Sequence, residues 1–145
     1  MTESDGGVFI SDGRCSVRLT RSGELQPDEA GLPREYPTVI NVRAGPFLGS
    51  VLDSIVVYED FRKQLSILYE TLSGEAEIGS YDGNELVLRG FGSQGAIEVR
   101  VKVVAERVPL IQMAFTFYLD QSYLPSIIQQ LDAEFPPPPR ARHIL

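Results

Sequence analysis

The sequence predicts an α+β domain. Its mostly antiparallel sheet has about six to seven strands, and two helices pack on one face, in the order βββαββββα. Three observations carry that reading. After residue 74, four segments alternate apolar and polar side chains between short polar connections, as an antiparallel meander does. Two other segments, 59–72 and 123–135, hold apolar residues at helical spacing. The 145 residues, 43% hydrophobic and 23% charged, suit one folded domain and are too few for two comfortable cores. The expected domain spans 1–135, with 1–7 frayed, and 136–145 forms a Pro-rich spacer and basic tail.

The elements follow in order. Residues 14–20 place Cys15, Val17 and Leu19 on one face of a half-buried strand. Residues 21–37 hold four acidic residues, three prolines and two glycines, and read as a long surface loop. Tyr36 to Val42 is rich in β-branched residues and predicts a second strand. Gly45-Pro46 breaks it, and Phe47 to Leu52 predicts a third, ended near Asp53.

The first helix is expected over Glu59 to Leu72, with Phe61, Leu65, Leu68 and Leu72 on one stripe. Glu59 and Asp60 suit the positive end of its dipole, and Ser73-Gly74 stops it. Ala76 and Ile78 then alternate with Glu75 and Glu77. Asp82-Gly83-Asn84 is turn chemistry, and Glu85 to Arg89 returns as the partner strand. Ile97, Val99, Val101 and Val103 alternate with Glu98, Arg100 and Lys102. Ile111 to Leu119 alternates again. The second helix is expected over Tyr123 to Phe135, with Ser122 as N-cap and Pro125 in the first turn, where a missing N–H costs nothing.

Composition excludes several functions. Thirteen basic against twenty acidic residues leave a net charge of −7, which is wrong for gripping phosphate backbones. One Cys excludes an internal disulfide and a cysteine zinc site; as a small hydrophobe, Cys15 suits a reducing cytoplasm. The single His143 sits in the tail, away from any triad. No apolar run approaches a membrane span, and the first residues lack a secretory pattern. The expected protein is cytoplasmic, binds neither nucleic acid nor membrane, and needs no cofactor or metal.

Chemical motifs give way to structural readings. Gly90-Phe-Gly-Ser-Gln-Gly95 matches a dinucleotide-binding string, but such a string must open a helix, and residues 97–103 have the period of a strand. It reads as a glycine-rich hairpin loop. Glu59 and Asp60 are adjacent and point about 100° apart on a helix, so they form no dyad. Glu75 and Glu77 share one strand face as solubilising charge. The aromatic residues Phe115, Phe117, Tyr118 and Tyr123 lack interleaved cations, so packing outweighs base stacking. Tyr118 alone lies on the polar phase of its strand.

One segment is more specific. Phe115-Thr-Phe-Tyr-Leu-Asp120-Gln121-Ser122-Tyr123-Leu124 resembles the F-x-F-x-x-D-Q-[S/T]-Y-L signature of the WapI-type immunity proteins. Glu59-Asp60-Phe61, Leu65, Leu72 and Gly74-x-Ala76-x-Ile78 are similar to that family's helix and following strand, so the resemblance covers roughly residues 47–133. It implies a non-enzymatic bacterial immunity protein that binds a cognate toxin domain, in several cases a nuclease, and occludes its active surface. Asp120, Gln121, Ser122, Tyr123 and Leu124 stand where a strand meets a helix and read as a corner: Asp120 or Ser122 caps, the Gln121 amide bonds loop backbone, and Leu124 packs. The expected partner-binding residues are instead Glu75, Glu77, Asp82 and Glu85 around the first hairpin, chosen for charge, with Tyr118. Two other readings remain open on the residues alone. One is a general protein-interaction domain acting through the Pro-rich tail; the other is a small hydrolase using carboxylates such as Asp120.

Overall fold

A computed structural model describes residues 6–27, 30–31, 33–55, 58–80, 82–92 and 94–137. The tail from 138 onward and the first five residues lie outside the described residues, and with them most of the expected spacer and frayed end.

The α+β class and the alternation of strands and helices hold. The strands, however, form two antiparallel sheets instead of one. The first contains β1 (Val8–Ser11), β2 (Cys15–Arg21), β3 (Gln26–Pro27), β4 (Pro33–Ala44) and β5 (Phe47–Ile55). Its order is β1-β2-β4-β3, with β5 also paired to β4. Helix α1 (Tyr58–Thr71) leads to the second sheet, a meander of β6 (Glu75–Gly79), β7 (Glu85–Phe91), β8 (Ala96–Arg107) and β9 (Leu110–Asp120). Helix α2 (Leu124–Glu134) closes the fold.

The division follows from how much apolar surface each sheet must bury. Val8, Ile10, Val17, Leu19, Ile40 and Val42 face inward from the first sheet. Leu86, Leu88, Ile97, Val99, Val101 and Val103 do so from the second. Two helices cannot cover both faces, so the sheets cover each other. Side chains from both sheets, Val17, Leu19, Ile40 and Ile55 against Ile78, Leu86, Val101 and Val103, line an internal void of only about 20 Å3.

Each helix lies along an edge strand, α1 beside β6 and α2 beside β1, and the two touch. The Gln64 side-chain oxygen on α1 accepts the Glu77 N–H at 2.9 Å, and that of Gln130 on α2 accepts the Phe9 N–H at 2.7 Å. Arg62 forks onto Asp132 at 2.8 and 3.0 Å between the helices. Tyr58 stacks on Phe135 with centroids 3.9 Å apart, and Tyr36 meets both rings edge-on.

Three further departures have local causes. β1 is a short strand with Val8 and Ile10 inward, four residues too few to show a period. The expected loop 21–37 contains β3 and the start of β4. Its prolines Pro27 and Pro33 stand on an edge strand and at a strand's first residue, where no ladder donor is lost. β5 continues through Asp53 because a buried partner holds that carboxylate: the Asn84 side-chain amide, 2.5 Å away. Cys15 is a free thiol packed partly against the core, as its phase predicts.

Candidate interaction surface

The outward face of the second sheet gathers most of the residues expected to bind a partner. Its register sets rows across the four strands. Glu75, Arg89, Glu98 and Tyr118 form one row, Glu77, Val87, Arg100 and Thr116 the next, and Gly79, Glu85, Lys102 and Ala114 the third. Glu75, Glu77, Glu85 and Tyr118 therefore share a face. Asp82 does not. It lies in the turn before β7, on a groove of about 440 Å3 with Ser50, Leu52, Glu106 and Arg107.

The face is less acidic than its glutamates suggest, because each row carries a cation. Glu98 is only 8% exposed although it points outward. Arg89 approaches its Oε1 to 2.9 Å and Arg100 to 3.7 Å. Neither contact has hydrogen-bond alignment, so Glu98 is held by charge. Val87 is outward in phase yet buried, with Glu77 and Arg100 beside it in register and Glu85 and Arg89 flanking it on β7. Their long apolar stems can cover a small residue while their heads stay in water. Phe91 and Tyr118 form an exposed aromatic pair at one end, with centroids 5.2 Å apart.

Sequence reasoning missed Glu98, Arg89, Arg100 and Lys102 as parts of this surface. The alternation in 97–103 already places three of them on the polar phase. What it cannot supply is the cross-strand register that interleaves them with Glu75, Glu77 and Glu85.

The strand-to-helix corner lies beside this face. β9 ends at Asp120, and Gln121–Tyr123 form a 3-10 turn before α2. Asp120 Oδ2 accepts from the Ser122 hydroxyl at 2.5 Å and from its N–H at 3.3 Å. Of the two expected caps, Asp120 serves, at the start of the 3-10 turn and two residues before Ser122, and α2 has no side-chain cap of its own. The Ser122 hydroxyl, then the backbone donors, hold the Asp120 carboxyl below its ordinary pKa. Gln121 bonds the glycine loop through its backbone: its N–H donates to the Gly95 carbonyl at 2.8 Å. Gly95 has φ +81°, and a Cβ there would stand 2.9 Å from the Gln121 side-chain nitrogen. Leu124 is fully buried, whereas Tyr123 is exposed.

Between this corner, β1 and α2 opens a cleft of about 690 Å3, with Asp12, Tyr118, Asp120 and Tyr123 on its walls. Asp12 accepts the Arg14 and Cys15 N–H groups at 2.8 and 2.7 Å and caps its own turn. Among the described residues, no three His, Cys, Asp or Glu side chains gather to hold a metal. The arrangement offers contact surface: fixed charges, an aromatic pair and a rigid backbone.

The model of the Immunity protein WapI-like family matches residues 9–139, most of the chain. The chain belongs to the WapI-like immunity protein family. No curated relative and no solved structure matches it. The family match extends beyond the segment that carries the signature, into β1, β2 and β4. Those strands form the sheet against which the signature-bearing half packs, so the WapI-like unit is the whole sandwich. Membership in an immunity family also makes this a non-enzymatic protein with a protein partner. No helix among the described residues is long and apolar enough to cross a membrane.

Proposed function

We propose that this WapI-like protein binds a cognate bacterial toxin domain in the cytoplasm and neutralises it by covering its active surface. The observation that carries the reading is the outward face of the second sheet in a member of an immunity family. It is a hydrogen-bonded platform presenting Glu75, Glu77, Glu85 and Tyr118 to solvent. A platform of this kind occludes by shape and charge and needs no chemistry of its own.

The net charge of −7 supports a basic partner. A nuclease domain carries positive charge to hold its substrate, and a negative inhibitor is steered to that surface at an increased rate. The same glutamates are kept from spreading by Arg89, Arg100 and Lys102 between them, which gives the face a pattern as well as a sign. Patterned charge selects one toxin over another more sharply than bulk charge does.

The test is co-expression with a candidate toxin domain encoded beside it, scoring survival and co-purification. Rescue with a stable complex is expected. Continued killing beside a well-folded, uncomplexed protein overturns the pairing.

A further inference from the structure

Besides the two-residue β3 beside the start of β4, the two sheets have four outer edge strands, and the fold treats them unequally. Helices close two of them, with Gln130 on the N–H of Phe9 in β1 and Gln64 on the N–H of Glu77 in β6. The other two edges belong to β5 and β9. Among the described residues, the backbone of Leu110–Leu119 bonds only to β8, which leaves its outer row of N–H and C=O groups open.

Proteins usually blunt such an edge with a charge, a proline or a bulge. Leu110–Leu119 contains no charged residue and no proline, and the local bulge lies in β8, between Val104 and Glu106. β5 is a poorer template: it carries a glycine, Gly49, near its start and a charge, Asp53, near its end, where the contact with Asn84 ties it down. Exposed apolar side chains stand at the start of this edge, Val108, Leu110 and Ile111 at the β8–β9 hairpin.

Charge narrows the occupant. On the outward face, Ala114 pairs with Lys102 and Thr116 with Arg100. These two small side chains stand between the open edge and the two cations. Lys102 makes no ion pair among the described residues, and Arg100 makes only the 3.7 Å approach to Glu98. A strand added beside β9 would carry residues about 10 Å, two strand spacings, from Lys102 and Arg100. Carboxylates at those positions meet the cations halfway.

We infer that β9 receives its partner by strand addition. The partner segment is an extended stretch of the toxin domain carrying Asp or Glu at alternate positions, aligned with Ala114 and Thr116. This rests on the toxin-binding reading above.

Hydrogen exchange of the complex with the toxin domain that the co-expression test identifies tests it, together with binding by Lys102→Glu and Thr116→Glu. New protection over residues 110–119 is expected, and each variant should bind about 10- to 100-fold more weakly. Lys63→Glu on α1 makes the same charge change away from β9 and should bind as the parent does. Matching unfolding curves for all variants separate lost contact from lost fold. A stable, rescuing complex with protection elsewhere and normal binding by both variants overturns strand addition and leaves the immunity reading standing. Killing without a complex overturns the immunity reading and the inference with it. A concentration-dependent dimer of the free protein, already protected over 110–119, assigns the edge to a second copy and also overturns the inference.

Discussion

The Asn84 side-chain amide donates to the Asp53 carboxylate across 2.5 Å, and this buried contact ties β5 of one sheet to the β6–β7 turn of the other. The Asn84 oxygen meanwhile accepts the Val104 N–H at 2.8 Å. One side chain thus satisfies a carboxylate and a strand donor on opposite sides of the sheet interface. Asn84→Ala orphans Asp53 Oδ2 and the Val104 N–H, while Asp53 Oδ1 keeps the Ser54 N–H at 2.7 Å, and leaving buried groups unpaired costs more than the bonds themselves contribute. A loss of about 2–4 kcal/mol is expected in urea unfolding. A loss below about 0.5 kcal/mol, the scatter of ordinary surface substitutions, would show that water replaces the amide freely.

Closure of the sheet edges by glutamine is open to measurement as well. Gln130→Ala removes the acceptor of the Phe9 N–H, and Gln64→Ala that of the Glu77 N–H. Each should cost about 1 kcal/mol, more at the half-buried Gln130 site than at the exposed Gln64 site. The specific sign is local. Hydrogen exchange at Phe9 or Glu77 should quicken beyond the change in global stability. Uniform acceleration across the whole sheet would mean that the glutamines only pack.

Much of this architecture was legible in the residues, and what was not has a common cause. The period-two runs and the two apolar stripes located β6 to β9 and both helices, because each run is long enough to declare its period. β1, with four residues, and β3, with two, are not. Which strands pair is a matter of register, and register is a property of two segments at once. That is why Glu75, Glu77 and Glu85 read as an acidic patch, while the fold threads Arg89, Arg100 and Lys102 between them. Asn84 read as turn chemistry, and the same residue also serves as the buried link, since nothing local marks its long-range partner.

Tyr58 makes the fold sensitive to alkali. Burial pushes its hydroxyl far above the ordinary value of 10.0, against the opposing pull of its Thr38 hydrogen bond at 2.9 Å. Burial likewise raises Tyr36. A raised pKa in the folded state means full stability below pH 10, where neither state is ionised, and a loss as pH rises further and only the unfolded chain can deprotonate. Tyr58→Phe should flatten that alkaline decline while costing about 1 kcal/mol at neutral pH for the lost hydrogen bond. An unchanged slope in chemical denaturation between neutral pH and the alkaline limb would place the titrating group elsewhere.

Asp120 imposes the opposite limit. Its pKa is depressed, chiefly by the Ser122 hydroxyl, so its contribution is present above the ordinary carboxylate range and is lost as pH falls through the folded value. Ser122→Ala should move the Asp120 titration upward, followed by the side-chain carboxyl resonance in NMR. Asp120→Asn should remove that share of the acid slope. A titration that stays put in Ser122→Ala would assign the depression to the backbone donors alone.

Gly90 opens the string that resembles a dinucleotide loop, and its reason for being glycine is packing. Its φ is not among the positive ones, so no turn demands it. A Cβ at Gly90 would instead run into the Leu72 carbonyl, where α1 ends against β7 and Leu72 itself adopts φ +56°. The obstacle is backbone, and neither chain can step aside: the Gly90 N–H is bonded to the Gly74 carbonyl at 3.3 Å. Gly90→Ala must therefore push the end of α1 off the sheet. Gly92 carries φ +74° with open space around it, so Gly92→Ala meets strain from its backbone alone. The expected order in thermal unfolding is a loss of about 1–3 kcal/mol or more for Gly90→Ala and about 1 kcal/mol for Gly92→Ala. Only the first should also loosen exchange at the C-terminal end of α1. If both variants fall equally and α1 is untouched, the glycines answer to the loop and the packing explanation fails.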